Sequence, residues 1–398
     1  MRNLKKIEKI FDFSQSIFQD DYNEYKVKFS NFLKNSSILV IGGAGSIGSA
    51  VVKELLNYNI NKIHILDINE NSLVEVIRDI RSTQYDLNCE IKTFVIDITS
   101  LIFESFLNYN HYDFIFNFAA VKHVRSDRDI FTLQRLITVN ILASIKISEY
   151  SKRNNLNSFF SVSSDKAANP TNFMGASKKI MELFLLNEMK ENNIKMARFA
   201  NVAFSDGSLL DGFKKRFFLK QPFSAPDDIR RYFINHKEAA HLCILACLSG
   251  ENGNIFFPKK KFLNALTFKE IAIEFLKING FEAYICQNEI EAIEKSEELI
   301  RKNKWPCYFF KSDTSGEKKL EEFATNFDTV IDNKFSSVEI IDNKNFKDIT
   351  SELDLFINDL NDKILMKNFN KKDLFLIFKK LIKEFTYNDK NFNLDQRM

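Results

Sequence analysis

Two clusters in this sequence carry residue types at spacings that could do chemistry. The first is Ile41-Gly42-Gly43-Ala44-Gly45-Ser46-Ile47-Gly48, which holds four of the chain's 11 glycines and fits GxGxxG from Gly43 or GxxGxxG from Gly42. A tight turn of this kind at a helix start lets backbone amides and the positive helix end approach a pyrophosphate, with Gly42, Gly45, Ser46, Ile47 and Gly48 forming the cradle. Asp67 stands 22 residues after Gly45, where a carboxylate can accept from both hydroxyls of an adenosine ribose. No Arg or Lys follows Asp67 immediately, so a 2′-phosphate would meet uncompensated repulsion and NAD is favoured over NADP. The second cluster is Ser163-Ser164-Asp165-Lys166, with Lys178 twelve residues beyond Lys166. It sits at the carboxyl end of a β-rich run, where open α/β sheets bind ligands.

Groups so spaced need strands that end together. Short β-rich runs at 37–41, 62–66, 90–96, 114–118, 158–162 and 195–199 alternate with helical stretches at 51–58, 73–81 and 141–154. That alternation predicts an α/β fold with a Rossmann-like doubly wound parallel sheet and a smaller, mainly helical substrate-binding lobe. The expected regions are an N-terminal helical extension (1–35, with Ile7, Ile10, Phe11, Phe13, Tyr25, Phe29 and Phe32 at roughly helical spacing), an NAD-binding Rossmann domain (36–202) and a substrate-binding lobe (203–398). The C-terminal helices of that lobe are expected to return in part to the Rossmann domain. Helices are expected at 235–248, 267–279, 289–302 and 371–385, with 283–304 an amphipathic, charged helical region. Asp97 and Ile98, ending the third strand, read either as adenine contacts or as a strand-end cap. Ala119 and Ala120 end the fourth strand with small side chains where a cofactor must pass close to the backbone. His123 reads as a proton shuttle or as a satisfied structural group.

Composition narrows the function classes. At 45% hydrophobic and 27% charged residues, the chain is neither disordered nor collagenous. A net charge of +3 from 56 basic and 53 acidic residues gives no global field toward nucleic acid or anionic lipid. The five cysteines have no CxxC spacing, which argues against a disulfide framework or a zinc site, and no metal is expected. Cys243 and Cys247, one helical turn apart in an apolar run, read as core. No apolar run approaches the ~18 residues of a membrane span. The N-terminal basic residues Arg2, Lys5, Lys6 and Lys9 precede no uninterrupted apolar segment. The expectation is a soluble, cytoplasmic protein with no membrane or nucleic-acid partner.

The motifs together resemble the extended short-chain dehydrogenase/reductases, and more closely the nucleotide-sugar 4,6-dehydratases acting on N-acetylglucosamine nucleotides. The resemblance covers roughly residues 36 to 325. It rests on the glycine loop, Ala119-Ala120-Val121-Lys122-His123-Val124, Ser164-Asp165-Lys166-Ala167, Asn169-Pro170-Thr171-Asn172, Met174-Gly175-Ala176-Ser177-Lys178, Arg198-Phe199-Ala200-Asn201-Val202, Arg231-Tyr232-Phe233 and Ser315-Gly316-Glu317-Lys318. Met174 stands where the superfamily has a catalytic tyrosine. The same change occurs in a branch of these dehydratases that keeps the Asp-Lys pair and is associated with retention at C5.

The resemblance implies NAD-dependent 4,6-dehydration of UDP-N-acetylglucosamine, in bacterial amino-sugar glycan or nonulosonic acid (legionaminic-type) biosynthesis. Lys166 is then the base at C5, with a pKa depressed by Lys178, the oxidised nicotinamide and apolar Met174. Asp165 is the acid at the C6 oxygen, and Ser164 relays toward Lys178 to deprotonate the C4 hydroxyl. Arg231 and Lys318 face the diphosphate, Glu317 accepts from uridine-ribose hydroxyls, and Lys122 and Asn201 contact the sugar or diphosphate. Thr314-Ser315 replace the usual Arg-Pro before Gly-Glu-Lys, which leaves UDP and GDP substrates both open. A 4-epimerase and a non-catalytic NAD- or nucleotide-sugar-binding protein are the alternatives. Apolar helix faces near 141 to 150 and the family's habit point to a homo-oligomer, a dimer or larger.

Overall fold

The apolar runs at the centre of the sheet become parallel strands because they are buried on both faces. The computed structural model describes residues 8–11, 15–83, 89–123, 129–312, 316–365 and 370–387. Ile7, Phe13, Val124, Thr314 and Ser315 of the sequence reading lie outside these residues. Strands β1 (Ser37–Ile41), β2 (Lys62–Asp67), β3 (Glu90–Val95), β4 (Phe114–Asn117), β5 (Ser158–Ser164) and β6 (Ile194–Phe199) pair in parallel, in the order β6-β5-β4-β1-β2-β3. Strands β4 and β6 are buried along their whole length, whereas edge strand β3 is partly exposed throughout.

Three further strands extend this sheet to nine: Ile255–Pro258 runs parallel to β6, and Val338–Ile341 and Val330–Ile331 follow antiparallel. The register places Ile41 beside Asn117 and Ser164 beside Phe199, so the chain leaves β1, β4, β5 and β6 along one edge. That edge carries the site.

Beyond residue 200 lie two small sheets. One joins Asn201–Val202, Arg230–Ile234 and Ala265–Thr267; the other joins Phe223–Pro226, Lys304–Phe310 and Glu282–Ile285 in parallel. Trp305, Phe213, Phe223 and Phe275 form their shared core. The expected helical region at 283–304 is corrected here. It opens with a strand, continues as two short helices, Glu289–Glu294 and Ser296–Arg301, and leads into the strand Lys304–Phe310. Pairing of Ala283 with Trp305 and Ile285 with Cys307 overrides the local helical periodicity.

The helix Gln19–Leu33 packs beneath the sheet, where Tyr22 stacks on His241 at 4.0 Å, and Cys243 and Cys247 are buried in the same core. The expected exposed apolar face near 141 to 150 is covered. Ile141, Ile147 and Tyr150 are buried, and Leu142 and Ile145 pack against a cluster completed by the C-terminal helices Thr350–Leu365 and Lys371–Leu381. Leu353, Phe356, Leu360, Phe378 and Phe385 close this cluster over Ile137, Phe173 and Ile180. By length and composition the continuous helical segment Ile130–Arg153 could cross a membrane, and half of its most apolar stretch is buried inside the fold.

Candidate active site

The strand ends open into one cavity of about 780 Å³ that runs from the glycine loop to Arg231. At its cofactor end the chain leaves β1 and turns at Gly42, whose N–H donates to Leu66 O at 2.7 Å. Gly42 has φ +69°, and a Cβ there would lie 2.7 Å from the Ala119 nitrogen, so a side chain cannot be placed where the loop meets the end of β4. The helix Ser46–Leu55 then starts with its free amides toward the cavity. Gly42, Gly45, Ser46, Ile47, Gly48, Ala119 and Ala120 all line the wall.

Asp67 takes the Ala44 N–H on Oδ2 and the Asn69 N–H on Oδ1, both at 3.0 Å, which fixes its carboxylate at the rim of the loop. Asp97 is engaged within the protein, accepting from Thr99 and pairing with Arg135 at 2.9 Å. Burial opposes its charge, and Thr99 and Arg135 outweigh burial and hold its carboxyl below the usual range. Asp97 thus acts as the strand-end cap while it and Ile98 still form cavity wall. A glycine cradle, a helix N-terminus and the Asp67 carboxylate at the end of β2 together fit a dinucleotide.

A loop from the second half of the chain latches onto this cradle. Ser46 Oγ donates to Asp206 Oδ2 and accepts the Asp206 N–H, both at 2.9 Å. Lys122 Nζ donates to Asp206 O at 3.0 Å, and burial lowers its pKa. Asp206 carried no signal in the sequence.

The expected catalytic residues Ser164, Asp165, Lys166, Met174 and Lys178 all line the cavity. Lys166 Nζ donates to Asp165 Oδ1 at 3.0 Å and reaches Asn201 Oδ1 at 3.4 Å. Burial opposes the charge on Lys166, but Asp165 and Glu321, the latter 3.9 Å away, outweigh it and raise the pKa. The expected depression of Lys166 is therefore corrected, because the nearest charges are anions. Between Lys166 and Lys178 the depressed lysine is Lys178: burial brings it down to about 8 against the opposing pull of Glu182. Its Nζ donates to Val162 O at 2.9 Å. Ser164 Oγ donates to Asp165 Oδ1 at 2.9 Å, so the hydroxyl serves the Asp-Lys pair and the expected relay to Lys178 is not formed. Met174, 4% exposed, sits beside the helix N-cap Asn172.

At the far end Arg231 lines the cavity, yet its guanidinium is already held. It donates to Glu317 Oε1 and Lys318 O, both at 2.9 Å, and to Arg230 O at 2.8 Å. Glu317 Oε2 also accepts from Ser312 at 2.6 Å. Lys318 stands off the cavity wall and turns its ammonium to Glu321 at 3.7 Å, so the expected contact with a diphosphate is not preformed. Gly316, at φ +64°, abuts Thr171; a Cβ would lie 2.0 Å from Thr171 O. Thr171 and Asn172 both donate to Gly316 O, at 2.7 and 3.1 Å, while Asn172 Oδ1 caps the helix Phe173–Glu188. The Gly-Glu-Lys element is thus bolted to the helix that carries Met174 and Lys178. Glu321, buried among these groups, escaped sequence reasoning because nothing in its local pattern marks it.

Comparison with known proteins agrees with this geometry. Residues 38–303 match the family described as polysaccharide biosynthesis protein. The chain is 30% identical over 300 residues to an uncharacterized membrane protein of Methanocaldococcus jannaschii, covering 68% of this chain and 86% of that one. It is 29% identical to the capsular polysaccharide biosynthesis protein CapD of Staphylococcus aureus over 76% of this chain, and spans about half (53%) of that relative's length. It is also 29% identical to the UDP-N-acetylglucosamine 4,6-dehydratase (inverting) of Campylobacter jejuni, covering 56% of this chain and 66% of that one. Among solved structures, Pen from Bacillus thuringiensis superposes with a TM-score of 0.64 at 20% identity, covering 78% of this chain and 88% of Pen. With the dinucleotide cradle and the Asp-Lys pair on one wall, the chain belongs to the polysaccharide biosynthesis protein family, on the Rossmann-type fold of the extended nucleotide-sugar dehydratases and epimerases.

Proposed function

We propose that this chain is an NAD-dependent UDP-N-acetylglucosamine 4,6-dehydratase that retains configuration at C5. The observation that carries the reading is the 3.0 Å contact between Lys166 and Asp165 on the cavity wall. Passing one proton across this contact leaves an amine and a carboxylic acid side by side. The amine can remove the C5 proton and the acid can protonate the departing C6 hydroxyl. NAD, when bound, supplies the hydride acceptor for C4 and returns that hydride to C6, while the Lys166 ammonium gives a proton back to C5, so no net redox change remains. Lys178, titrating near 8, is the base left for the C4 hydroxyl in the absence of a tyrosine. Met174 in the tyrosine position supports C5 retention by its resemblance to the retaining branch.

A 4-epimerase returns hydride to C4 and needs no elimination pair, so Asp165 and Lys166 speak against it. The product would supply amino-sugar glycan or nonulosonic acid assembly. The five free cysteines are compatible with a reducing, cytoplasmic compartment.

The test is incubation of the purified protein with UDP- and GDP-linked N-acetylglucosamine, followed by mass spectrometry. Loss of water from the UDP sugar, with C5 configuration kept by NMR, is the expected result. A mass-neutral product makes the protein an epimerase, and no turnover of either nucleotide sugar makes it a binding protein.

A further inference from the structure

The buried charges behind the catalytic wall include one carboxylate that the dehydration scheme leaves unused. Glu321 is 4% exposed. Its Oε1 lies 3.9 Å from Lys166 Nζ and 3.8 Å from Arg231 Nη2, and its Oε2 lies 3.7 Å from Lys318 Nζ. Neither Glu321 Oε2 nor Lys318 Nζ makes a hydrogen bond, although both atoms are buried. A buried carboxylate facing three cations without a hydrogen bond on Oε2 is held by field rather than by fixed geometry.

The charged groups around it come from three places. Asp165 and Lys166 follow β5, Arg231 lies on Arg230–Ile234, and Glu317 and Lys318 stand on the same segment as Glu321. Three anions thus face three cations. Removing one anion leaves a positive excess beside Lys166, and a positive excess drives a proton off an amine.

We propose that Glu321 is a positioning residue for Lys166, setting how the proton between Lys166 and Asp165 is shared and therefore the pH at which the base becomes competent. With Glu321 ionised, the ammonium form of Lys166 has two anionic neighbours and the proton stays on nitrogen. When Glu321 is neutral, Asp165 is the one anion left beside Lys166, Glu317 being engaged by Arg231 at 2.9 Å, and the amine with protonated Asp165 is favoured. Burial first, and Asp165 among the charges, raise the pKa of Glu321 against the pull of the three cations. This proposal rests on the assignment of Lys166 as the C5 base.

The experiment measures single-turnover dehydration of UDP-N-acetylglucosamine across pH, with solvent deuterium entering C5 read on the same samples. Glu321→Gln keeps the shape and removes the charge; the rising limb, on which Lys166 gives up its proton, should move to lower pH by about one unit or more, with KM within about twofold of the parent. Glu321→Asp keeps the charge and should move the limb less than half as far, which separates charge from packing and covers the case in which the glutamine variant fails to fold. A limb that stays in place in the folded Glu321→Gln protein, or a limb that moves by about one unit or more in Glu321→Asp, overturns the proposal. Lys166→Ala with undiminished deuterium entry would instead overturn the base assignment itself.

Discussion

Arg198 and Glu182 face each other as a two-pronged pair, Nε to Oε1 at 2.9 Å and Nη2 to Oε2 at 2.7 Å, with both side chains fully closed to solvent. Arg198 Nη1 continues to Phe323 O and Asp328, and Glu182 also takes the Ser163 hydroxyl. Burial opposes both charges, and their mutual attraction outweighs it, lowering the Glu182 pKa and raising that of Arg198. This pair ties β5, β6 and the helix carrying Lys178 to the segment around Phe323.

Breaking one side of such a pair leaves an uncompensated charge in the core. Arg198→Leu should destabilise the protein by about 3–5 kcal/mol, and the double variant Arg198→Leu/Glu182→Leu should recover part of that loss. Urea unfolding of the two variants checks this; equal losses in both would contradict it.

Lys195 is a second buried lysine, 4% exposed, whose amine donates to Ser158 at 3.2 Å. Burial lowers its pKa from 10.5 to about 8. Below about 8 both folded and unfolded chains hold the proton and the folded state bears the full cost, while between 8 and 10.5 the unfolded chain binds more protons and stability rises with pH. Lys195→Met should therefore stabilise the protein by about 1–2 kcal/mol at neutral pH, the lost hydrogen bonds offsetting part of a ceiling near 3 kcal/mol. The gain should fade as pH approaches 10.5, read as the difference in unfolding midpoints between the two proteins.

Asp67 is the natural test of cofactor choice. Asp67→Asn keeps an oxygen for the Ala44 N–H and removes the charge that repels a 2′-phosphate. NAD should bind about tenfold more weakly and the preference for NAD over NADP should narrow by at least as much. Fluorescence titration with the two reduced cofactors measures the ratio, and an unchanged ratio counts against Asp67 as the ribose ligand.

Phe378 touches no part of the cavity wall, yet its ring packs on Phe173 at 5.7 Å and on Phe356 at the same distance. Phe173 immediately precedes Met174 in the helix that carries Lys178. Phe378→Ala should cost about 3–5 kcal/mol, and turnover should fall at temperatures where circular dichroism still reports a folded protein. Turnover that tracks only the folded fraction would reduce the C-terminal helices to a stabilising role.

Much of the sheet was legible because parallel strands buried on both faces must be apolar along their length, as Ile38-Leu39-Val40-Ile41 are. The glycine cradle was legible for a similar reason: Gly42 sits where backbone meets backbone, and one residue type fits. The reading lost accuracy wherever the deciding partner is distant in sequence. Glu282–Ile285 is a strand because Lys304–Phe310 lies beside it, and residues 289–301 break into two helices at Lys295. The state of Lys166 depends on Glu321, and Arg231 is held by Glu317, pairings that no local pattern announces. The face around Ile141 and Ile145 looked free for the same reason, since its cover comes from helices more than half the chain away.

That cover also sets an order of events during synthesis. The loop Asn169–Asn172, which leads into the catalytic helix, is gripped on one side by Gly316 and on the other by the Thr386 N–H, which donates to Pro170 O. A ribosome delivers the glycine cradle and the Asp-Lys pair before either grip, because Gly316 and Thr386 lie 146 and 216 residues after Pro170. Until then Phe173, Ile137 and Ile180 face solvent as an uncovered apolar strip, and such a strip on a nascent chain invites aggregation. The protein should therefore lean on chaperones until the helices Thr350–Leu365 and Lys371–Leu381 are made, and a stalled chain ending before Thr350 should be bound by them far longer than one ending after Tyr387.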